Sequence, residues 1–316
     1  MIEKRKVVLV GTGFVGMSMA YSIVNQGIGV NELILIDVLK EKAEGEAMDL
    51  SDGLPCSPSH MIIKAGEYSE CTDADIVVIT AGINQKPGQT RLELSDVNAK
   101  IMKEITEQIV ESGFKGIFLV ASNPVDIMTK VVQEVSKFPT SKVIGSGTAL
   151  DTSRLRYQIG KYLSVSSKNI HAYVMGEHGD SSFVAWEHAY VGCKNMLDIM
   201  KDNGKNIADL DKIYTEVRDT AYEIINRKKA TYYGIGLGLT RIVKNILNDT
   251  NEILTVSAYL NGEYGHEDIY IGMPVIINRN GAREILELKL SEENQKKLNE
   301  SCKILTENME HIRKSL

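Results

Sequence analysis

The segment Val7–Gly16, with the sequence VVLVGTGFVG, decides the fold of this chain. A short continuous apolar run is typical of a strand buried in a parallel sheet, and this one leads directly into a G-x-G-x-x-G pattern. A helical apolar pattern follows and ends at Gly27, and a second apolar run, Leu33–Ile36, ends at Asp37. The glycines alone would be weak evidence. Strand, glycine loop, helix, strand and acid in this order predict a dinucleotide-binding unit.

Each glycine of the pattern has its own expected role. Gly11 permits a tight turn, Gly13 lets the backbone approach a pyrophosphate, and Gly16 lets helix and strand pack closely. The N–H groups of the first helical turn can bind the phosphates. Asp37 lies 21 residues beyond Gly16, where it can accept hydrogen bonds from an adenosine ribose and would repel a 2′-phosphate. The sequence therefore predicts NAD rather than NADP; the alternative is a fold of the same kind that binds no dinucleotide.

Strands and helices alternate along the first 146 residues. The further predicted strands are Met61–Ile63, Asp75–Gly82, Gly116–Ala121 and Lys142–Gly145, and the further helices are Lys40–Leu50, Leu92–Val110 and Ser122–Val135. The alternation predicts an α/β fold with an open, doubly wound parallel sheet. In such sheets ligands bind beyond the carboxyl ends of the strands, where Gly82, Asn123 and Gly145 lie.

The alternation stops near Ser146, where we place a domain boundary. We predict a Rossmann-type NAD-binding domain at residues 1–146 and an α+β catalytic domain at residues 147–316. The second half has predicted helices at Thr148–Leu163, Leu210–Lys228 and Tyr232–Asn248, antiparallel strands at Ile253–Leu260, Ile269–Asn278 and Ile285–Leu290, and a last helix capped by Ser291. Substrate chemistry is expected where the two halves meet.

The composition is that of an ordinary globular protein and argues against several classes of function. Of the 316 residues 43% are hydrophobic, and the formal net charge of -6 argues against a nucleic-acid partner. Four cysteines without C-x-x-C spacing argue against a disulfide framework or a zinc site and fit a reducing cytoplasm. No apolar run approaches the roughly 18 residues of a membrane span, and the first run is too short for a signal peptide. We therefore expect a cytoplasmic protein.

One histidine between glycines is the candidate proton donor and acceptor. His178 lies in Gly176–Ser181 (GEHGDS), directly after the strand-like run His171–Met175. Glycines let the backbone turn sharply and leave the ring open to a cleft, and an imidazole titrates near neutral pH. The alternative is a loop histidine without a catalytic role.

An acid and an arginine at helical spacing supply its expected partners. Asp151 and Arg154 are three residues apart and share one face of a predicted helix. Asp151 can orient and charge His178, and Arg154 can bind a substrate carboxylate in bidentate geometry. The alternative is a simple ion pair within the helix.

Together these motifs make the chain resemble bacterial members of the lactate/malate dehydrogenase family, nearly from end to end. The resemblance is carried by GTGFVG at 11–16, QKPGQTR at 85–91, SNPVD at 122–126, LDTSR at 150–154 and GEHGDS at 176–181. It implies reversible hydride transfer between NADH and C2 of a short 2-oxo acid, with pyruvate and L-lactate as the expected pair. It also implies a cis bond between Asn123 and Pro124 and a homotetramer.

The resemblance assigns a role to each site residue. His178 protonates the carbonyl oxygen, Asp151 raises its pKa, and Arg91 closes over the substrate and polarises the carbonyl. The residues implied to bind substrate are Gln85, Arg91, Asn123, Asp126, Arg154 and Thr231. Those implied to bind the cofactor are Gly11, Gly13, Val15, Gly16, Asp37, Lys42, Tyr68, Gly82, Ile83, Asn123, Ser146 and Ile235, and no metal is expected.

The residue at position 85, here Gln85, predicts whether the substrate is lactate or malate. Relatives that act on malate carry arginine at this loop position, where it binds a second carboxylate. Gln85 is neutral, so the second charge of oxaloacetate would enter a closed pocket without a cation, at a cost of several kcal/mol. We therefore expect pyruvate; malate or a larger 2-hydroxy acid is the alternative substrate, and a non-catalytic dinucleotide-binding protein is the alternative function.

Arg156 and His171 are candidates for a second site. Arg156 is about 200° around the helix from Arg154. His171 is seven residues before His178, so on a regular strand the two face opposite sides. The resemblance places this pair at a two-fold subunit interface, where some bacterial members bind fructose 1,6-bisphosphate. The alternative is a solvated arginine and an interface histidine that bind no effector.

Overall fold

A parallel sheet lies at the centre of the first half of the protein. The structure, a computed structural model, describes residues 5–83 and 91–316, with 91–93 described as backbone only. The strands are β1 (Lys6–Val10), β2 (Glu32–Ile36), β3 (Ile62–Ala65), β4 (Ile76–Ile79), β5 (Ile117–Val120) and β6 (Val143–Gly145). They pair in parallel in the order β3-β2-β1-β4-β5-β6. The predicted doubly wound sheet is confirmed.

Four helices connect these strands in the described residues. They are α1 (Phe14–Gln26), α2 (Lys40–Asp52), α3 (Arg91–Glu111) and α4 (Val125–Ser136). All five residues of β1 are buried, as are Met19 and Ile23 of α1, so the helical apolar pattern of the sequence covers the sheet. α1 ends at Gly27, whose φ of 58° is left-handed and is adopted readily by glycine.

The second half adds helices, two small sheets and an extension of the large sheet. Its helices are α5 (Ala149–Leu163), α6 (Met196–Asp202), α7 (Ala208–Lys228), α8 (Tyr233–Asn248) and α9 (Glu292–Ser315). Its strands are β7 (Ile170–His171), β8 (Val174–Met175), β9 (Phe183–Val184), β10 (Tyr190–Val191), β11 (Lys194–Asn195), β12 (Glu252–Asn261), β13 (Glu267–Asn278) and β14 (Gly281–Ile285). Ser291 caps α9 through the N–H of Asn294, as predicted.

The large sheet continues across the predicted domain boundary. β12 lies antiparallel to β6 with Ser257 opposite Gly145, and β13 and β14 follow, giving nine strands in the described residues. The chain turns sharply after β6 at Gly147, whose φ is 49° and where a Cβ atom would lie 2.3 Å from the Ser257 nitrogen. Both halves therefore share one sheet, and the boundary at residue 146 stays a prediction.

Two predicted strands of the second half were wrong. The run Ile285–Leu290 is not a strand: the turn after Asn278 lets β14 begin at Gly281 and end at Ile285. Leu288 and Leu290 pack on the core outside any strand. The run His171–Met175 is broken after His171, because β7 pairs with β10 and β8 with β9. The sequence analysis also missed α6 and the strands β9 to β11.

Candidate active site

The glycine loop between β1 and α1 has the shape that a dinucleotide site needs. Gly11 has φ 101°, and a Cβ atom there would lie 2.6 Å from the Ala81 nitrogen. A Cβ at Gly16 would lie 2.2 Å from the Gly11 carbonyl oxygen, whereas at Gly13 it would meet no protein atom within 4 Å. No side chain caps the N-terminus of α1. Open space at Gly13 beside uncapped helical N–H groups fits a pyrophosphate.

Asp37 is held at the end of β2 by the same loop. Its carboxylate accepts hydrogen bonds from the Thr12 nitrogen at 2.7 Å, the Thr12 hydroxyl at 2.9 Å and the Leu39 nitrogen at 3.0 Å. Burial opposes ionisation, but these bonds and the charge of Lys42 outweigh it and hold the pKa of Asp37 below its ordinary value. Lys42 in turn donates to the Thr12 carbonyl at 2.5 Å. A carboxylate fixed and charged in this way suits a ribose.

Two more predicted cofactor residues lie around this loop. Tyr68 is half-buried, and burial together with the charges of Cys71 and Asp37 raises its pKa to about 12. Val15 is half-buried in the first turn of α1 and packs against the core. Their cofactor contacts stay predictions.

Asn98 is a site residue that the sequence analysis missed. It lies on α3, is buried, and joins the ends of β4 and β5. Its Oδ1 accepts from the Ile83 nitrogen at 2.9 Å, and its Nδ2 donates to the Ile83 oxygen at 3.3 Å and the Asn123 oxygen at 2.8 Å. Gly82, with φ 154°, leaves room for this amide. The signal in the sequence was a polar residue on the apolar face of α3, in line with Leu94 and Met102.

The ends of β5 and β6 carry the other predicted residues of this edge. Asn123 is exposed and is followed by a cis peptide bond to Pro124, as the family resemblance implied. Ser122 donates to the Ala81 carbonyl. Ser146 is buried, and its N–H donates to the Val120 carbonyl at 2.7 Å. The carboxyl ends of β4, β5 and β6 thus form one edge, as predicted for a ligand site.

His178 and Asp151 form the predicted pair. The His178 Nδ1 lies 2.7 Å from Asp151 Oδ2, although 27 residues separate the two along the chain. The His178 side chain is 31% exposed and that of Asp151 16%. Burial disfavours the imidazolium, but the charge and hydrogen bond of Asp151 outweigh it, and the pKa of His178 rises to about 9. The ring is therefore protonated at neutral pH.

Arg154 completes this group from the next turn of α5. Its Nη1 donates to Asp151 Oδ1 at 3.1 Å, and only 14% of its side chain is exposed. Burial opposes ionisation of Asp151, but the charges and hydrogen bonds of His178 and Arg154 hold its pKa below the ordinary value. Asp151 therefore bridges a histidine and an arginine, so the intrahelical ion pair and the predicted pair with His178 are both present.

Asp126 contacts the main chain of His178. It is 3% exposed in the first turn of α4, and its Oδ2 accepts from the His178 nitrogen at 2.8 Å. Burial raises the pKa of Asp126 to about 6, against the opposing effects of Ser257 and His178. Its predicted contact with substrate stays a prediction.

The start of α8 contacts both α1, which follows the glycine loop, and α5, which carries Asp151 and Arg154. A Cβ at Gly236 would lie 2.7 Å from the Ser18 Cβ of α1, and one at Gly234 would lie 2.9 Å from the Leu150 side chain of α5. Ile235 and Thr231 are half-buried in this segment. The structure thus brings the predicted nicotinamide and substrate neighbours close to α1 and α5.

The remaining predicted residues are Gln85, Arg91 and the pair Arg156 and His171. Gln85 lies outside the described residues, and so does the side chain of Arg91. Arg156 donates from Nε to the Ala172 carbonyl at 3.1 Å, and its guanidinium lies 5.0 Å from the Tyr173 ring centroid. His171 is exposed at the end of β7. Because the strand is broken between them, the regular-strand argument that separated His171 from His178 was wrong.

Within residues 5–83 and 91–316 there is neither a candidate metal cluster nor a candidate membrane-spanning helix. No cluster of three or more histidine, cysteine, aspartate or glutamate side chains there could hold a metal ion. In the same residues, no helix combines the length and the apolar character needed to cross a membrane.

Comparison with known proteins identifies the family. Residues 5–145 match the model of the lactate/malate dehydrogenase NAD-binding domain, and residues 148–315 match that of the lactate/malate dehydrogenase alpha/beta C-terminal domain. L-lactate dehydrogenase 2 of Bacillus anthracis is 55% identical over 305 residues, which cover 96% of this chain and 97% of that protein. L-lactate dehydrogenase 1 of Bacillus cereus (strain ATCC 10987 / NRS 248) is 54% identical over the same shares of each chain.

Solved structures that resemble this one are also lactate dehydrogenases. A lactate dehydrogenase enzyme, MGS-M5, from a Medee basin deep-sea metagenome library has a TM-score of 0.96 at 53% identity, covering 98% of this chain and 99% of that one. The minor L-lactate dehydrogenase of Enterococcus mundtii, in its ligands-bound form, has a TM-score of 0.96 at 50% identity over 98% of each chain. The chain is an NAD-dependent oxidoreductase of 2-hydroxy acids, and it belongs to the lactate/malate dehydrogenase family.

Proposed function

We propose that this enzyme is an L-lactate dehydrogenase, which reduces pyruvate to L-lactate with NADH and catalyses the reverse reaction. The observation that carries the proposal is the group of His178, Asp151 and Arg154, in which a protonated imidazole and a guanidinium share one carboxylate. The names of the relatives with 54–55% identity support lactate as the product. A protein that only binds dinucleotides has no need of a proton donor.

The chain's own residues account for the proton. Asp151 occupies Nδ1 of His178, which leaves Nε2 as the nitrogen that gives its proton to the carbonyl oxygen of the substrate. Bound NADH supplies a hydride to C2, so the carbonyl is reduced to an alcohol while NADH is oxidised to NAD. In the reverse direction neutral His178 takes the hydroxyl proton. General acid–base catalysis of this kind contributes about 10²–10⁴ in rate.

Two arginines are proposed to hold the substrate. Arg154 lies one turn from Asp151, with most of its side chain buried, where its fork can bind the pyruvate carboxylate. Arg91 follows the Pro87–Thr90 segment in the sequence and is proposed to polarise the carbonyl from there. Thr231 and Asn123 are proposed to line the same pocket.

Gln85 is proposed to select pyruvate over oxaloacetate. Changing Gln85→Arg should raise kcat/KM for oxaloacetate and lower it for pyruvate, because the added cation pairs with the second carboxylate. Giving a cationic partner to a carboxylate that would otherwise be buried unpaired changes the ratio of the two kcat/KM values by about 10²-fold or more. The measurement is kcat/KM for both acids, with Gln85→Asn as the neutral control. A Gln85→Arg enzyme with the parent's preference would contradict this account of specificity.

Arg156 and His171 are proposed to bind fructose 1,6-bisphosphate at a two-fold interface of a homotetramer. Supporting this proposal, His171 is exposed and Arg156 contacts Ala172, the next residue along the chain. Two copies of each would offer up to four cations to two phosphates. Added bisphosphate should lower the KM for pyruvate, raise the melting temperature or shift the oligomer distribution. If all three stay unchanged, the effector proposal fails.

The first test of the function is the loss of NADH absorbance with the purified protein. Pyruvate and oxaloacetate are offered separately, each with and without fructose 1,6-bisphosphate. Strong preference for pyruvate would support the proposal. Activity with oxaloacetate alone would keep the His178 mechanism and favour the malate alternative. NADH binding without turnover of any 2-oxo acid would favour the non-catalytic alternative.

A further inference from the structure

Asp126 has an uncommon environment for a carboxylate. It lies in the first turn of α4 and is 3% exposed, and its Oδ2 accepts from the His178 nitrogen at 2.8 Å. Among the described residues, its Oδ1 and the Ser257 hydroxyl are buried side-chain atoms without a hydrogen bond of good geometry, although Ser257 lies near enough to lower the pKa of Asp126. A buried carboxylate is costly unless it is paired or bonded. The well-formed hydrogen bond of this carboxylate goes to the main chain of His178, which calls for a functional explanation.

The charges around His178 come from two helices. Asp151 and Arg154 on α5 and Asp126 on α4 all act on the imidazole. Glu177 acts on Asp126, and the charge of Asp151 in turn acts on Tyr214 of α7. With His178 protonated, the two aspartates are balanced by the imidazolium and Arg154. Once His178 loses its proton, one negative charge is left over, so both aspartates favour the protonated ring.

The charges behind Asp126 compensate one another. A small cavity of about 60 Å³ is lined by Asp126, Lys130, Glu267, Asp268 and Arg313, among others. Lys130 and Arg313 both pair with Asp268, and Arg313 also bonds Glu134. Two cations and two anions thus cancel here, and Glu267 is exposed. The nearby charge that Asp126 itself faces is mainly that of His178.

We propose that Asp126 is a positioning residue for His178, whose carboxylate fixes the main chain of the catalytic loop and supplies a second negative charge for the protonated ring. The proposal rests on the proposed role of His178 as proton donor. Asp151 holds the ring through Nδ1, and Asp126 holds the backbone that carries it. Asp151 therefore orients the side chain of His178, and Asp126 orients its main chain.

The pH dependence of the pair can be worked out from the two pKa values. The pKa of His178 is raised to about 9, so pyruvate reduction, which needs the protonated ring, is lost as the pH rises through about 9. Removing the charge of Asp126 should lower this pKa and move the loss of activity to lower pH. The pKa of Asp126 is raised to about 6, so its ionisation should perturb the His178 ring near pH 6.

The test follows the His178 imidazole by NMR in protein labelled with ¹³C at the histidine Cε1. The chain has six histidines, and His178→Gln assigns the signal by removing it. In Asp126→Asn, which keeps an amide oxygen to accept the His178 N–H, the titration midpoint of His178 should fall by about one pH unit. The pH at which kcat/KM for pyruvate declines on the alkaline side should fall by the same amount.

Glu134→Gln is the matched control. It removes the same charge from the same helix, and Glu134 bonds Arg313 rather than His178. The control should leave the His178 midpoint unchanged. If Asp126→Asn lowers activity without moving the midpoint, Asp126 is only structural and the proposal is overturned.

The unmodified protein keeps the test open if Asp126→Asn does not fold. Its His178 signal should show a second, smaller step at acidic pH as Asp126 ionises. A single step over the range from about pH 3 to pH 10 would overturn the proposal without any variant. Because the titration needs no substrate, it also separates this proposal from the proposed function: a missing pyruvate activity would refute the latter and leave the NMR result to decide the former.

Discussion

The glycine loop before α1 and the loop that carries His178 are built in different ways. The glycine loop is shaped by close backbone contacts within a few residues and one neighbouring strand, as at Gly16, where a side chain would meet the Gly11 carbonyl at 2.2 Å. The His178 loop is held by side chains from α4 and α5, which lie 52 and 27 residues away. The predicted cofactor site thus rests on local backbone geometry, whereas the proposed proton donor depends on tertiary contacts.

The largest expected effect tests whether chemistry is confined to the His178 loop. His178→Gln should lower kcat for pyruvate reduction by about 10²–10⁴-fold, since glutamine has no proton to give at neutral pH. Binding of NADH, measured by fluorescence, should change little because the glycine loop is intact. A kcat within tenfold of the parent would show that another group supplies the proton.

The difference between local and tertiary contacts also explains which features could be predicted from the sequence alone. The glycine loop and the parallel strands could be predicted because their signals are local: an apolar run, a spacing and an acid after the second strand. The pairing of His178 with Asp151 came from motifs and a family resemblance, since no periodicity connects residues so far apart. The main-chain contact of Asp126 could not be predicted, because the direction of a first helical turn depends on the packing of α4.

The errors have the same origin. Ile285–Leu290 alternates like a strand, but the turn after Asn278 had already fixed the pairing of β14 with β13. His171–Met175 is apolar enough for a strand, yet its two ends pair with different partners. Local pattern does not reveal which partner a segment finds.

A matched pair of glycine variants sharpens the comparison at the cofactor loop. Gly16→Ala should lower the free energy of unfolding by about 3 kcal/mol, because the new methyl group meets the backbone carbonyl of Gly11 and a backbone cannot move aside cheaply. Gly13→Ala adds the same methyl group into open space at a φ of -75°. Its stability should stay unchanged while NADH affinity falls. Chemical denaturation and NADH titration measure the two quantities.

The pair also has a clear contrary outcome. If Gly13→Ala destabilises the protein as much as Gly16→Ala, glycine is needed for the stability of the fold at both positions. If neither variant changes NADH binding, the loop does not hold the pyrophosphate in the expected way.

The smallest expected effect is that of a substitution at Asn98, which joins the segments that follow β4 and β5. Its buried side chain hydrogen-bonds the main chain of Ile83, a predicted cofactor residue, and of Asn123, which is predicted to contact both cofactor and substrate. Asn98→Ala should cost about 1–2 kcal/mol of unfolding free energy, since Asn123 is exposed and Ile83 is 38% exposed, so water can replace part of the lost bonding. The KM for pyruvate and the Kd for NADH should rise together, whereas Gly13→Ala should raise the Kd for NADH alone. A change in only one of the two constants for Asn98→Ala would mean that the regions are coupled through other contacts, and that this amide serves a single site.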